Sequence, residues 1–342
     1  MRRRARDPEP FHAACPGGSH RDGPRPVRAH RARPVLGPAA SRKATAVIGA
    51  LLEELRPKQW TKNLLLFAGV VFSQQLGHPR LVERAAGGFV AFSLLSGAVY
   101  LINDLTDVEA DRLHPIKRHR PIASGRLAAP AAWGALAPIL ITVVALCAWL
   151  GSGFAWVAAL YFASNIAYSY RLKSYVLIDV FVIASGFVLR AIGGVELLKP
   201  LSPSTSLSPW LLVCTFFGSL FLGLAKRRRE LANAGVVAGR RRQVLDQYTP
   251  ELLDGLLMVS AAASLMGYAL YTIWPATVAK FRTEALLYTV PFVAYGIFRY
   301  LYLVRGTESS EDPSHMLLAD RPLAGCVVLY VIAVVLILYH LV

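Results

Sequence analysis

The sequence predicts an all-α, polytopic membrane protein with about nine transmembrane helices. Three observations carry this expectation. The 342 residues are 55% hydrophobic and only 17% charged, too apolar and too sparsely charged for a soluble domain of this length. Apolar runs near the roughly 20 residues needed to cross a bilayer recur along the chain. Lys and Arg gather on alternate connections between those runs, as expected when one set of loops stays in the cytoplasm. The nine segments are 61–77, 85–102, 128–150, 153–169, 175–194, 208–225, 255–274, 284–303 and 322–341.

Residues 1–45 precede them and are rich in Arg, Pro, His, Gly and Ala. No apolar stretch there is long enough for a signal peptide. A segment of this composition buries too little surface to fold, so it is expected to be a disordered basic tail. The remaining 46–342 are expected to form one transmembrane domain. Residues 46–60 (AVIGALLEELRPKQW) begin that domain as a short amphipathic helix ending at Arg56-Pro57, with Trp60 at headgroup depth. Segment 61–77 is the weakest of the nine, being short and carrying Lys62 and Asn63 at its start.

Net charge is +16, and its placement says more than its size. The tail and the loops after the second, fourth, sixth and eighth segments together hold 29 Lys/Arg, whereas the opposite side holds only Arg80, Arg84, Lys199, Lys280 and Arg282. That asymmetry predicts a cytoplasmic N-terminus in the inner (plasma) membrane. The excess is a topology signal, and with no folded basic face outside the membrane a nucleic-acid partner is excluded. Cys15, Cys147, Cys214 and Cys326 show no CxxC spacing, which argues against a zinc site or a disulfide framework.

The loops of one side carry the chemistry. In YLINDLTDVEADRLHPIKRHRPIASG, residues 100–125, the second helix continued past the membrane would stack Asp104, Asp107 and Asp111 on one face. Three like charges so placed repel one another without a cation. Mg²⁺ takes carboxylates together with phosphate oxygens and water, so the pattern suits a Mg²⁺-bound diphosphate. An ordinary solvated acidic face is the bland alternative, although acidic residues at a bilayer edge are costly and usually functional. Directly downstream lie His114, Lys117, Arg118, His119, Arg120 and Arg126, cations suited to the second anionic end of a substrate.

A second constellation runs from Tyr168 through Arg171 and Lys173 to Asp179, an aspartate expected inside a spanning helix, where it needs a cation or a cavity. Arg190 lies eleven residues on, about 16 Å along a helix, too far to pair with Asp179. It faces either a phosphate or the outer headgroups, by snorkelling. A third group, Lys226-Arg227-Arg228-Arg229-Glu230, ends the sixth segment. It reads as a positive-inside anchor, with Lys226 and Arg227 the residues nearest a phosphate. Gln59, Lys62 and Asn63 add a polar cluster at the first segment.

These residues resemble the UbiA superfamily of intramembrane prenyltransferases, and within it the decaprenyl-phosphate phosphoribosyltransferase branch. The matching pieces are RPKQWTKN (56–63), NDLTDVEADRLHPIKRHRPIASG (103–125), YSYRLKSYVLIDV (168–180), GFVLRAIGG (186–194), AKRRREL (225–231) and YGIFRYLYL (295–303). The resemblance implies a UbiA-like helical bundle. It implies Mg²⁺-dependent transfer of phosphoribose from phosphoribosyl diphosphate to a polyprenyl phosphate, releasing diphosphate, on the way to cell-wall arabinose donors. It further implies that Asp104, Asp107, Asp111 and Asp179 bind Mg²⁺-diphosphate with help from Asn103. Lys117, Arg118 and Arg120 would hold the ribose phosphate, and Tyr168 and Lys173 would line the pocket. One departure matters: aromatic prenyltransferases of the superfamily usually carry a second acidic pair, and here position 175 is Tyr. That disfavours the runner-up, prenyl transfer to an aromatic acceptor. A transporter is disfavoured because the charges cluster at one face instead of the midplane.

Overall fold

The structure, a computed structural model, describes residues 38–206, 208–233, 243–306, 316 and 319–339. The chain divides into Met1–Arg42 and Lys43–Val342. The expected basic tail lies, for residues 1–37, outside the described residues, as do Arg240 to Arg242 of the loop after the sixth segment. Helix α1 (Pro38–Glu54) begins inside the stretch expected to be tail.

The described residues contain helices and no strand. After α1 come a 3-10 run (Pro57–Phe67) and the short α2 (Ala68–Phe72). Next are α3 (Pro79–Thr106), α4 (Val108–Arg112), α5 (Ala129–Leu150) and α6 (Ser152–Tyr170). The series continues with α7 (Ile178–Glu196), α8 (Pro209–Asn233), α9 (Pro250–Ile273) and α10 (Pro275–Phe281). It closes with α11 (Val290–Arg305) and α12 (Arg321–Leu338). Proline stands at the start of α3, α5, α9, α10, α11 and α12, where its missing N–H has no intrahelical partner to lose.

Seven described helices are long and apolar enough to cross a membrane, so the expected count of about nine is loose by two. The two shortfalls have separate causes. In α6 the length of 19 residues suffices, but its serines, tyrosines and Asn165 dilute the apolarity. Segment 61–77 is no single helix: its 3-10 run passes into five residues of α2. Tight packing explains that broken geometry. A Cβ on Gly194 of α7 would stand 2.4 Å from Leu66 O, and one on Gly69 would stand 2.0 Å from Gly194 O. The two backbones touch, as small residues permit between membrane helices.

Neighbours in sequence pack side by side: α5 on α3 and α6, α7 on α6 and α8, α9 on α8, α12 on α11. One core gathers Leu66, Phe92, Phe154, Leu189 and Leu197; another gathers Val180, Phe221, Leu253 and Tyr300. Up-and-down alternation brings the C-terminal ends of α3, α6, α8 and α11 to the same end as the N-terminal ends of α5, α7, α9 and α12.

At the other end Arg84 acts as a clamp. It is buried, and its guanidinium donates to Leu197 O at 2.6 Å, to Trp149 O at 3.3 Å and to Leu150 O. The last carbonyls of a helix lack intrahelical donors and carry partial negative charge, which a buried cation satisfies. Arg84→Ala should therefore cost roughly 2–4 kcal/mol, read as a lowered unfolding midpoint in detergent, with Lys in its place recovering only part.

Candidate functional site

At the shared end, Asp104 and Asp111 are each 3% exposed and converge on one nitrogen. Arg120 Nη1 donates to Asp104 Oδ1 at 2.8 Å and to Asp111 Oδ2 at 2.6 Å. Arg56 Nη2 donates to Asp104 Oδ2 at 2.5 Å, and Lys117 Nζ stands 3.7 Å from Asp111 Oδ1. The convergence is not the single stacked helix face that the spacing suggested. Helix α3 stops at Thr106, Asp107 leaves helical geometry at φ −98° and ψ 13°, and the separate α4 swings Asp111 back. The break sends Asp107 elsewhere: its carboxylate, 46% exposed, takes Lys173 Nζ at 3.3 Å. That pair links the first aspartate stretch to the turn leading into α7.

The second centre is drier. Asp179 is fully buried, and Arg227, 1% exposed, donates Nε to its Oδ2 at 2.6 Å. The same guanidinium reaches Glu230 Oε2 at 2.5 Å and Tyr168 Oη at 3.3 Å. Tyr248 completes the group by donating its hydroxyl to Asp179 Oδ1 at 2.9 Å and accepting Leu177 N–H at 2.8 Å. Leu177 holds φ +66°, a conformation that costs a non-glycine residue energy unless its surroundings enforce it. Tyr248 is part of that enforcement, and burial followed by the nearby Asp179 charge pushes its phenol pKa up.

Several expectations need correction. Asp179 is not deep within a spanning helix; α7 starts at Ile178, so the carboxylate sits in its first turn, where the helix dipole favours an anion. Arg190 faces neither a phosphate nor the outer headgroups. It is buried, donating to Asn63 Oδ1 at 2.7 Å, Tyr161 Oη at 2.8 Å and Gly186 O at 3.0 Å. Asn63 in turn donates to Ser93 Oγ, so Arg190 pins the 3-10 run to α3 and α7. Arg118 is exposed and donates to His119 Nε2, away from the aspartates. Asn103 contributes its carbonyl, which accepts from Asp107 N and Thr106 Oγ1. Lys62 lies half-buried on the 3-10 run, and Lys226 stands 4.0 Å from Glu230.

Three participants escaped the sequence reading. Arg56 sits in left-handed backbone at φ 52° and stacks on Tyr100 at 4.5 Å. Its one sequence signal is the following Pro57, which disfavours helical backbone at this position. Tyr248 gave no signal, because it meets Asp179 from 69 residues away. Glu54 ends α1 at 1% exposure with Oε1 buried and unpartnered. Burial, and next the charge of Asp104, pushes its carboxyl up to about 7 against the pull of Arg56, the Ile122 N–H and Arg120.

The Glu54 shift has a consequence for stability. From its ordinary 4.5 up to about 7, the folded protein keeps a proton that the unfolded chain has lost. Stability from this group is therefore full below 4.5 and falls as pH rises through about 7, by up to roughly 3 kcal/mol. Thermal unfolding across that window should show the decline in the wild type and a flatter profile in Glu54→Gln.

Among the described residues no three His, Cys, Asp or Glu side chains converge closely enough to hold a metal ion by themselves. What the geometry offers is two carboxylates facing one point, ringed by Arg56, Lys117 and Arg120. Such an arrangement can hold an anion that brings its own cation.

The family model for the UbiA prenyltransferase family matches residues 44–320, which take in every residue of both centres. The chain belongs to that family. Two relatives agree along most of their length. One is the decaprenyl-phosphate phosphoribosyltransferase of Mycolicibacterium smegmatis, 32% identical over 302 residues, covering 85% of this chain and 92% of that protein. The other is the enzyme of the same name from Corynebacterium glutamicum, 34% identical over 297 residues, covering 84% and 86%. A UbiA homologue from Archaeoglobus fulgidus, solved with GPP and Mg²⁺, superposes with a TM-score of 0.62 at 18% identity, covering 85% of this chain and 99% of that one. This likeness bears on fold alone. As a UbiA-family member the chain is a multi-pass membrane transferase, in line with the expected UbiA-like bundle.

Proposed function

We propose that this UbiA-family protein transfers 5-phosphoribose from phosphoribosyl diphosphate to a polyprenyl phosphate of the decaprenyl type. The observation that carries the reading is the Arg120 nitrogen seated between Asp104 and Asp111 with Lys117 alongside. A carboxylate pair directly under a basic loop suits a donor with a metal-bound diphosphate at one end and a phosphate at the other. The names of the M. smegmatis and C. glutamicum relatives support the same donor and acceptor.

The residues present fit Mg²⁺. Asp104 and Asp111 supply hard oxygen donors aimed at a common point, and such an ion fills its remaining positions with phosphate oxygens and water. Asp107, 46% exposed, extends the acidic surface beside them, whereas Asp179 stays buried against Arg227 and Tyr248. When bound there, Mg²⁺ would supply positive charge for the diphosphate leaving group. Lys117 and Arg120 exchange carboxylate partners for the 5-phosphate of the ribose, a contact for which the guanidinium fork is well shaped. Arg227 orients Asp179 through the 2.6 Å contact of its Nε, while Tyr168 and Lys173 line the space between the two centres.

In the transfer, the bond from the anomeric carbon to the diphosphate oxygen breaks and its electron pair leaves with the diphosphate. An oxygen of the acceptor phosphate forms the new bond to that carbon. The acceptor is already an anion, so the protein needs no strong general base. Its contribution is electrostatic: fixed cations where negative charge accumulates. With 29 Lys/Arg in the N-terminal tail and the loops of this side against five on the other, the site opens to the cytoplasm of the inner membrane.

The test is direct. Membranes containing the protein should convert labelled phosphoribosyl diphosphate and polyprenyl phosphate into a lipid-soluble product only when Mg²⁺ is present. Transfer from a prenyl diphosphate to a phenolic acceptor, with no product from phosphoribosyl diphosphate, would overturn the reading.

A further inference from the structure

The end of the bundle opposite the aspartates holds a partly open cavity of about 160 Å³. It lies where α2, the end of α7, the start of α8, the end of α9 and α10 meet. From Pro209, at its wall, α8 runs eighteen residues to Arg227, about 27 Å at the usual helical rise. The cavity is thus roughly a bilayer's hydrocarbon thickness away from the candidate site and cannot share its ligand.

Ser73 in its wall donates to Gly69 O, but three other polar groups of the lining, on Lys280, Thr277 and Ser208, are donors held by no acceptor among the described residues. Lys280 projects from α10, and although the residue as a whole is exposed, its ammonium pKa is lowered by loss of water alone, with no carboxylate opposing. No salt bridge to the Lys280 ammonium occurs among the described residues, and its Nζ stands 5.5 Å from the ring of Phe281, a neighbouring wall residue. Thr277, one turn earlier, is 4% exposed, and its hydroxyl makes no hydrogen bond among the described residues. Ser208 Oγ is buried and also unpartnered. Immediately after Ser208 begins the 25-residue α8, whose first N–H groups carry the positive end of a long helix dipole.

A cation, two idle hydroxyls and a helix N-terminus with no carboxylate among the lining residues form a pocket for an oxyanion. Depth suggests its source. Trp274 lines the cavity and packs edge-on against Trp210 at 5.5 Å, and paired tryptophans of this kind mark the level of lipid headgroups. We propose that this cavity binds a phosphate group at the membrane face opposite the aspartates, supplied by an anionic lipid headgroup. Bound there, the phosphate would bridge α8, α9 and α10 and stabilise their junction with α2.

Thermal unfolding of the detergent-purified full chain tests this apart from any transfer assay. A ligand that binds only the folded state raises the midpoint in proportion to its occupancy. Phosphatidylglycerol should raise the wild-type midpoint by a few degrees, and Lys280→Gln and Thr277→Val should each lose more than half of that rise. Lys199→Gln, a cation of the same face already paired with Glu196, should keep it. Inorganic phosphate forms the second arm: a comparable rise with phosphate alone assigns the pocket to free phosphate, and a rise with lipid alone assigns it to the headgroup. If neither ligand shifts the wild type, or if Thr277→Val and Lys280→Gln keep the full shift, the phosphate site is refuted. Should Lys280→Gln fail to fold, Thr277→Val decides.

Discussion

Asp104→Asn should lower phosphoribosyl transfer by about a hundredfold or more while leaving the protein folded. Two features of the geometry set that size. Asn preserves the shape of the side chain and keeps one acceptor oxygen, enough for Arg56 or Arg120 though not for both, so packing around the 3% exposed position survives. What disappears is a full negative charge at the point where Asp104 and Asp111 converge. Losing one prearranged electrostatic contact to a charged transition state commonly costs 10²–10³ in rate. The check pairs the transfer assay with a thermal unfolding midpoint, at saturating and at limiting Mg²⁺. Wild-type turnover by Asp104→Asn would remove this carboxylate from the mechanism; lost turnover with a collapsed midpoint would mean a structural role.

The largest effect on stability is expected at Arg227. Replacing it with Met strips the cation from Asp179, which is fully buried, and from Glu230 close by. Removing one partner of a buried ion pair strands the other charge and typically costs about 3–5 kcal/mol. Arg227→Met should therefore purify poorly or unfold far below the wild type. Adding Asp179→Asn should restore part of the loss, because the stranded charge is then gone, and the double variant should remain inactive. A single variant as stable as the wild type, in a chemical denaturation series, would show that the pair contributes nothing net. The charge-neutralising rescue separates an electrostatic cause from simple loss of volume.

How much of this was written in the chain can be judged residue by residue. The segments with sustained apolar runs were legible because crossing a bilayer imposes length and composition locally. The exception was 61–77, where close approach of Gly69 and Gly194 forces a broken helix that no local pattern announces. The acidic and basic residues of the candidate site were visible as unusual charges at a membrane edge. Their partners were not. Arg190 has no carboxylate within reach along its own helix, and only the fold brings Asn63 and Tyr161 to it.

The sequence by itself therefore determined the class of protein, the side on which its charged loops gather and the residue types that gather there. These depend on solvent, since lipid and water sort residues by polarity whatever their neighbours are. Only the tertiary structure decided that Arg120 lies between Asp104 and Asp111, that Asp107 turns to Lys173, and that Tyr248 reaches across 69 residues to Asp179. The helix break at Asp107 is the physical reason for the first two. A continuous α3 would have stacked the three carboxylates; one residue out of helical geometry instead leaves Asp104 and Asp111 sharing Arg120 and sends Asp107 to Lys173.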